Sequence, residues 1–302
     1  MINLFHIPNY TIDTSKFSNL LHDKIVDQFT EEFCSYIGAK YGCATNSASS
    51  IIYLLADNKS LHFTTPTMIP PVVINAIKNG RATQTFTDDT DWIGSSYLLY
   101  NKEFRIIDSA QEVKPLQLYG GDMAIYSFYP TKPVGGCDGG MVVSNNKDII
   151  DFFKILVHDG RSMGASWENP PERIGWKMYM NSIQAYIARQ NLIRLDEKKD
   201  KLKRIRHIYN QAFGLNNISD HLYTIWVTNN SSFIQYMQKA NIVCGIHYKC
   251  AHKMVPYLYP DTKAPKSEEM ENHIVSIPFH EKLTPQDIDI VIKKVEEYRD
   301  KD

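Results

Sequence analysis

Ser127-Phe128-Tyr129-Pro130-Thr131-Lys132-Pro133-Val134-Gly135-Gly136, followed by Cys137-Asp138-Gly139-Gly140, joins two apolar stretches, Met123–Phe128 and Met141–Ser144. Both stretches read as short strands. A single loop lysine is ordinarily a solvated charge, but the flanks of Lys132 are unusual. Pro133 holds the lysine out of the α region, and the glycines that follow let the backbone come close to a ligand. Lysine is also the side chain that forms imines with carbonyl cofactors.

Working outward, helices and strands alternate. Ile25, Val26, Phe29, Phe33, Tyr36 and Ile37 share one helical face, closed by Gly38. A strand over Gly42–Asn46, a helix opened by Ser47–Ser50 and a strand at Leu61–Thr65 follow. Pro70-Pro71 starts a helix ending at Asn79-Gly80. Strands are expected at Ala82–Phe86, Tyr97–Tyr100 and Phe104–Ile107. Only Asn101-Lys102-Glu103 separates the last two, too few residues for a crossover between parallel neighbours. They therefore form a hairpin, or one of them is not a strand.

Beyond the lysine segment, helices are expected at Asp148–His158 and from Asn181 to about Tyr209, the latter as a hinge between domains. A strand at Leu222–Val227, a helix at Phe233–Lys239, a strand at Ile242–Tyr248 and a helix from Thr284 complete the chain. The expected architecture is α/β: a large domain with a mostly parallel sheet (residues 1–208) and a small C-terminal α+β domain (residues 209–302).

Lys and Arg number 33 against 34 Asp and Glu, so no charge excess points to nucleic acid or an anionic membrane. No apolar run approaches the roughly 18 residues of a membrane span. The N-terminus lacks the pattern of a secretory signal. The five cysteines are scattered, with no C-x-x-C pair and no metal-ligand spacing. A small-molecule ligand and a reducing cytoplasm are the expectations, with no metal.

An aldehyde cofactor of the pyridoxal phosphate (PLP) type needs a phosphate cradle, a carboxylate for the ring nitrogen and a hydrogen bond to the ring oxygen. Ser47-Ala48-Ser49-Ser50, between a strand and a helix, offers backbone N–H groups for a phosphate. Ser127 adds a hydroxyl. Asp108 ends an apolar strand where α/β sheets bind ligands, and a carboxylate there would keep the ring nitrogen protonated. Gln111 follows it toward the ring oxygen.

These residues resemble the DegT/DnrJ/EryC1/StrS sugar aminotransferases, PLP enzymes of fold type I with the aspartate-aminotransferase architecture. Asn46-Ser47-Ala48-Ser49 is similar to the family's phosphate turn. Asp108-Ser109-Ala110-Gln111 resembles its Asp-Ala-Ala-Gln, and the Lys132 segment with Asp138-Gly139-Gly140 resembles its cofactor-lysine motif. His247-Tyr248-Lys249 looks like the substrate-side segment and Ser276-Ile277-Pro278-Phe279-His280 like the closing motif. The resemblance implies Lys132 as the Schiff-base lysine, Asp108 beside the pyridinium and Gln111 at the ring oxygen. It implies Ala48, Ser49 and Ser127 at the phosphate, and His247, Tyr248 and Lys249 near the sugar.

Three departures accompany it. The family's asparagine that reaches the neighbouring subunit's phosphate is here Lys177, a point charge able to bind phosphate. The residue expected against the cofactor ring is Met68, a thioether instead of an aromatic. The stretch between Asp88 and Asp108 is shortened, without the family's additional helices. The implied activity is transfer of an amino group from an amino acid, glutamate, to a keto sugar nucleotide of 4-keto-6-deoxy type, in a homodimer with shared sites. The alternatives are a non-catalytic or regulatory binder of PLP or a sugar nucleotide on the same fold, and sugar dehydration, for which relatives carry histidine at the lysine position.

Overall fold

The computed structural model describes residues 1–21, 23–57, 61–102, 104–115, 117–118, 122–162 and 169–299. Helix α1 (Ile25–Ile37) closes on Gly38 in the left-handed conformation (φ 74°), leading into β1 (Tyr41–Thr45). Then come α2 (Ala48–Ala56), β2 (His62–Pro66), α3 (Pro71–Asn79) and β3 (Thr83–Thr87). Next are β4 (Tyr97–Asn101), β5 (Arg105–Asp108), β6 (Met123–Ser127), β7 (Gly140–Ser144) and α4 (Lys147–Val157).

The central sheet has the order β1-β7-β6-β5-β4, and β2 and β3 form a parallel pair. Phe63 of β2 meets Tyr100 of β4 with ring centroids 5.9 Å apart. Alternation along the strands feeds two cores. Cys43, Met123, Ile125 and Val142 face α2, α3 and α4. Ala44, Ala124, Tyr126, Met141 and Val143 face α1 and the helix that begins at Ser182. A strand covered on both faces is apolar at every position, as Met123-Ala124-Ile125-Tyr126 is.

The sheet is mixed where the sequence points to a mostly parallel one. Of its pairings only β5–β6 is parallel; β4–β5, β6–β7 and β1–β7 are antiparallel. The reason at one edge is the short connection between β4 and β5, which demands a hairpin. Its register sets Tyr97 opposite Asp108.

The expected long helix is two. Helix α5 (Ser182–Ile193) starts with a capping box between Asn181 and Gln184, and α6 (Leu195–Phe213) follows after Arg194. Leu195 packs into the core below the sheet, whereas Leu202, Ile205, Tyr209 and Phe213 belong to a third core. That core takes in β8 (Tyr223–Trp226), α7 (Asn230–Lys239), β9 (Ile274–Ile277) and α10 (Pro285–Arg299), with α8 (Ala251–Met254) and α9 (Pro265–His273) between. It also recruits the N-terminus, because Ile2 bridges to Ile242. Ile242–Tyr248 is not a strand; it makes isolated bridges at Ile242 and Gly245.

Candidate active site

Lys132 owes its position to a loop held from several sides. Its own N–H donates to the Tyr129 carbonyl (2.8 Å), Gly136 donates to Phe128 (2.8 Å), and Phe128 donates to Gly139 (2.9 Å). Phe128 and Val134 anchor the loop in the core beneath the sheet. At Gly135 a Cβ would lie 2.2 Å from the Pro130 carbonyl oxygen, so the turn closes only with glycine there. The Asn191 amide bonds the Gly135 carbonyl, and Lys198 Nζ donates to that of Pro133 (3.0 Å). Burial pushes the Lys132 amine down to about 8, against the opposing pull of the Asp108 carboxylate.

Asp108 ends β5 and is buried. One carboxylate oxygen accepts from the Ala110 N–H (2.9 Å) and the other from the Tyr97 hydroxyl (2.7 Å). Burial raises its pKa, while the Ala110 N–H, the Tyr97 hydroxyl and the Lys132 charge work to keep it ionised. Gln111 is held at both ends of its amide. Its Oε1 accepts from the Gly94 N–H (2.8 Å) and its Nε2 donates to the Tyr248 hydroxyl (2.7 Å). A second N–H on Nε2 remains for another acceptor. Tyr248 stacks on Trp92 with planes 3° apart and centroids 6.0 Å apart.

The opposite end of the site is the start of α2. Ser47 is the N-cap, extended (φ −164°), and its hydroxyl accepts from the Ser50 N–H (3.2 Å). The N–H groups of Ala48 and Ser49 head the helix, without carbonyls one turn before them, and with the helix dipole they could take an anion. Gly140 packs directly behind this turn: a Cβ there would stand 2.3 Å from the Ala48 nitrogen and 2.6 Å from the Ser47 carbonyl carbon. Gly140→Ala is therefore expected to displace the turn. It should lower the melting temperature and weaken binding of a phosphorylated ligand by at least about tenfold, the size of one lost charged hydrogen bond; isothermal titration with PLP checks it.

One cavity of about 480 Å³ joins these groups, with Ala48, Ser49, Asp108, Gln111, Ser127, Lys132 and Tyr248 on its wall. Four residues named from the sequence are not on it. Met68 is fully buried, packed with Cys250 and Ile274, because the chain turns after β2; Pro70, Val72 and Val73 supply the wall instead. Lys177 is exposed, bridged to His158. Lys249 is exposed and faces a different groove, beside Glu271. His247 turns to Ser276, its Nδ1 2.9 Å from the Ser276 Oγ, and edges against Phe5. Burial pushes His247 down to about 4, with the Lys132 charge adding to the effect.

Trp92 and Tyr97 line the cavity and escape a reading of motifs. Neither lies in a motif; the signal for Tyr97 is the hairpin, whose register puts residue 97 beside Asp108. Trp92 Nε1 is buried without a hydrogen-bond partner on this same wall. An anion site at one end, a buried carboxylate at the other and a low-pKa amine on the same cavity fit a phosphorylated pyridine aldehyde. Among the described residues no group of His, Cys, Asp and Glu could hold a metal ion.

The chain is similar to known sugar aminotransferases. UDP-4-amino-4,6-dideoxy-N-acetyl-beta-L-altrosamine transaminase of Campylobacter jejuni (strain 81-176) is 25% identical over 89% of this chain and 88% of its own. Among solved structures, Helicobacter pylori PseC, an aminotransferase involved in the biosynthesis of pseudoaminic acid, superposes with a TM-score of 0.81. It is 16% identical, over 99% of this chain and 100% of that one. NtdA of Bacillus subtilis, solved with bound cofactor PMP, also gives 0.81, at 15% identity over 92% and 78% of the two chains. The fold is that of the fold-type-I aminotransferases. The family model for the DegT/DnrJ/EryC1/StrS aminotransferases matches residues 118–296, from before β6 into α10, and the chain belongs to that family.

Proposed function

We propose that the protein is a PLP-dependent aminotransferase that moves an amino group from L-glutamate to a keto sugar nucleotide of the 4-keto-6-deoxy type. The observation that carries this reading is the shared cavity, in which the Lys132 amine, pushed down to about 8, and the buried Asp108 carboxylate act on each other's charge. Family membership supports the reaction class, and the UDP-sugar transaminase from Campylobacter supports the substrate class.

When bound, PLP supplies an aldehyde for amine exchange and a ring that withdraws electrons from the reacting carbon. Lys132 Nζ is the nucleophile of this site and, when free, the group that takes up and returns a proton. Asp108 holds the proton of the ring nitrogen. The N–H groups of Ala48 and Ser49, with the Ser127 hydroxyl, hold the phosphate, and the spare Gln111 N–H meets the ring oxygen. Pro70, Val72, Val73 and Trp92 exclude water. Tyr248 faces the sugar side. The assembly is a homodimer in which the exposed Lys177 reaches the partner's phosphate. All five cysteines are free thiols, in keeping with a reducing cytoplasm; among the described residues no helix is long and apolar enough to cross a membrane.

The intact set of Lys132, Asp108 and Gln111 on one cavity favours turnover over a purely regulatory binder. The test is single-turnover spectroscopy. Protein mixed with PLP should develop a visible band that disappears on addition of L-glutamate, with one equivalent of 2-oxoglutarate formed per bound cofactor. A band that persists without 2-oxoglutarate would rule out glutamate as donor. No band at all would remove the whole reading.

A further inference from the structure

We propose that Tyr97 is a positioning residue whose hydroxyl orients the Asp108 carboxylate toward the ring nitrogen of the cofactor and holds it in the charged form. The inference rests on the reading of the cavity as a PLP site.

The geometry comes from the hairpin. Tyr97 and Asp108 are register partners across β4 and β5, so their side chains leave the sheet on the same face. The phenol reaches the carboxylate at 2.7 Å, and both residues are buried. Ala110 binds the other oxygen (2.9 Å), so each oxygen has its own donor and the plane of the group is set by two contacts in different directions. Such bonds to a charged acceptor are about twice as strong as neutral ones, and in a buried place they oppose neutralisation.

Tyr97 is itself held. Trp92 packs edge-on against it, with centroids 4.6 Å and planes 63° apart, and Trp92 in turn stacks on Tyr248. The same segment supplies the Gly94 N–H that orients Gln111. Residues 92–97 thus support both polar groups expected at the cofactor ring. Burial and the Asp108 charge raise the Tyr97 pKa well above its ordinary value, so the phenol remains a donor throughout the working range.

The test compares two rings. PLP has a ring nitrogen that Asp108 can meet; its 1-deaza analogue carries a C–H there. Tyr97→Phe keeps the packed ring and removes only the hydroxyl. Its affinity for PLP should fall by roughly tenfold to a hundredfold, the range for a hydrogen bond to a charged group, while its affinity for the deaza analogue stays at the wild-type value. The affinity of the variant for PLP should also begin to fall at a higher pH than that of wild type, because Asp108 without this donor takes up a proton more readily. A role confined to packing would weaken both ligands alike and at every pH, and that result would overturn the proposal. Tyr97→Phe that binds PLP as wild type does would also overturn it. Wild-type protein that binds neither ring would overturn the cofactor reading instead. Should Tyr97→Phe fail to fold, wild-type protein with ¹³C at tyrosine Cζ carries the test. Tyr248 also feels the Asp108 charge, so of the resonances that move in Asp108→Asn the one still present in Tyr248→Phe belongs to Tyr97 and must shift as Asp108 titrates; one that stays still would sink the idea.

Discussion

Lys132→Ala is expected to lower transamination by about 10⁴-fold, the upper end of what a positioned acid–base group contributes, and to abolish the visible band with PLP. The loop should survive the change, because it is held by main-chain bonds and by Phe128 and Val134, not by the lysine side chain. A stability measurement separates loss of chemistry from loss of fold. In the folded protein the Lys132 amine has its pKa pushed down from 10.5 to about 8. As pH falls through that window the unfolded chain takes up the proton before the folded one, so the wild-type apo protein loses stability there. The alanine variant has no such proton to take up. Its melting temperature relative to wild type should therefore rise as pH is lowered from about 10.5 to about 8; a difference independent of pH would mean that the amine is not buried.

Asp108→Asn is expected to cost about 10²- to 10³-fold in activity, the range for removing one preorganised electrostatic partner of the reacting group. The amide keeps the shape: its oxygen can accept from the Ala110 N–H while its NH2 donates to the Tyr97 hydroxyl oxygen, so folding should persist. The second signature lies on Lys132. Asp108 holds the amine's pKa up against burial, and without that charge the pKa drops below about 8. The neutral, nucleophilic amine then appears at lower pH, and the pH profile for formation of the visible band should move to the acid side. Stopped-flow rates over a pH series measure this; an unmoved profile would show that the two groups do not sense each other.

Much of this site could be read from the chain because its residues stand in short local runs. Lys132 between Pro130 and Gly135, Asp108 at a strand end and Ser47 before a helix are each set by backbone geometry within a few residues. Local geometry is what sequence expresses. The hairpin was also legible, since a connection as short as Asn101-Lys102-Glu103 leaves antiparallel pairing as the only way for two neighbouring strands to meet. What escaped is what depends on distant chain. Position in a motif puts Met68 at the ring, whereas the turn after β2 brings Pro70, Val72 and Val73 to the cavity. Of His247, Tyr248 and Lys249, only Tyr248 reaches it, a choice made by Ser276 and Phe5 on other segments. The break at Arg194 is invisible in the sequence because no glycine or proline stands between Ser182 and Phe213 to end a helix.

The β4–β5 hairpin has one further consequence, for the order in which the site is assembled. The Tyr97–Asp108 bond spans 11 residues of chain, whereas the Gln111–Tyr248 bond spans 137. By loop-closure entropy the longer contact is harder to form by about 2 kcal/mol before any packing helps. Contacts of low sequence separation also form sooner. The carboxylate end of the cavity can thus be complete in a nascent chain that has not yet produced residue 248. The wall that Tyr248 contributes waits for the last sixth or so of the chain, which makes closure of the cavity a report that synthesis has passed residue 248.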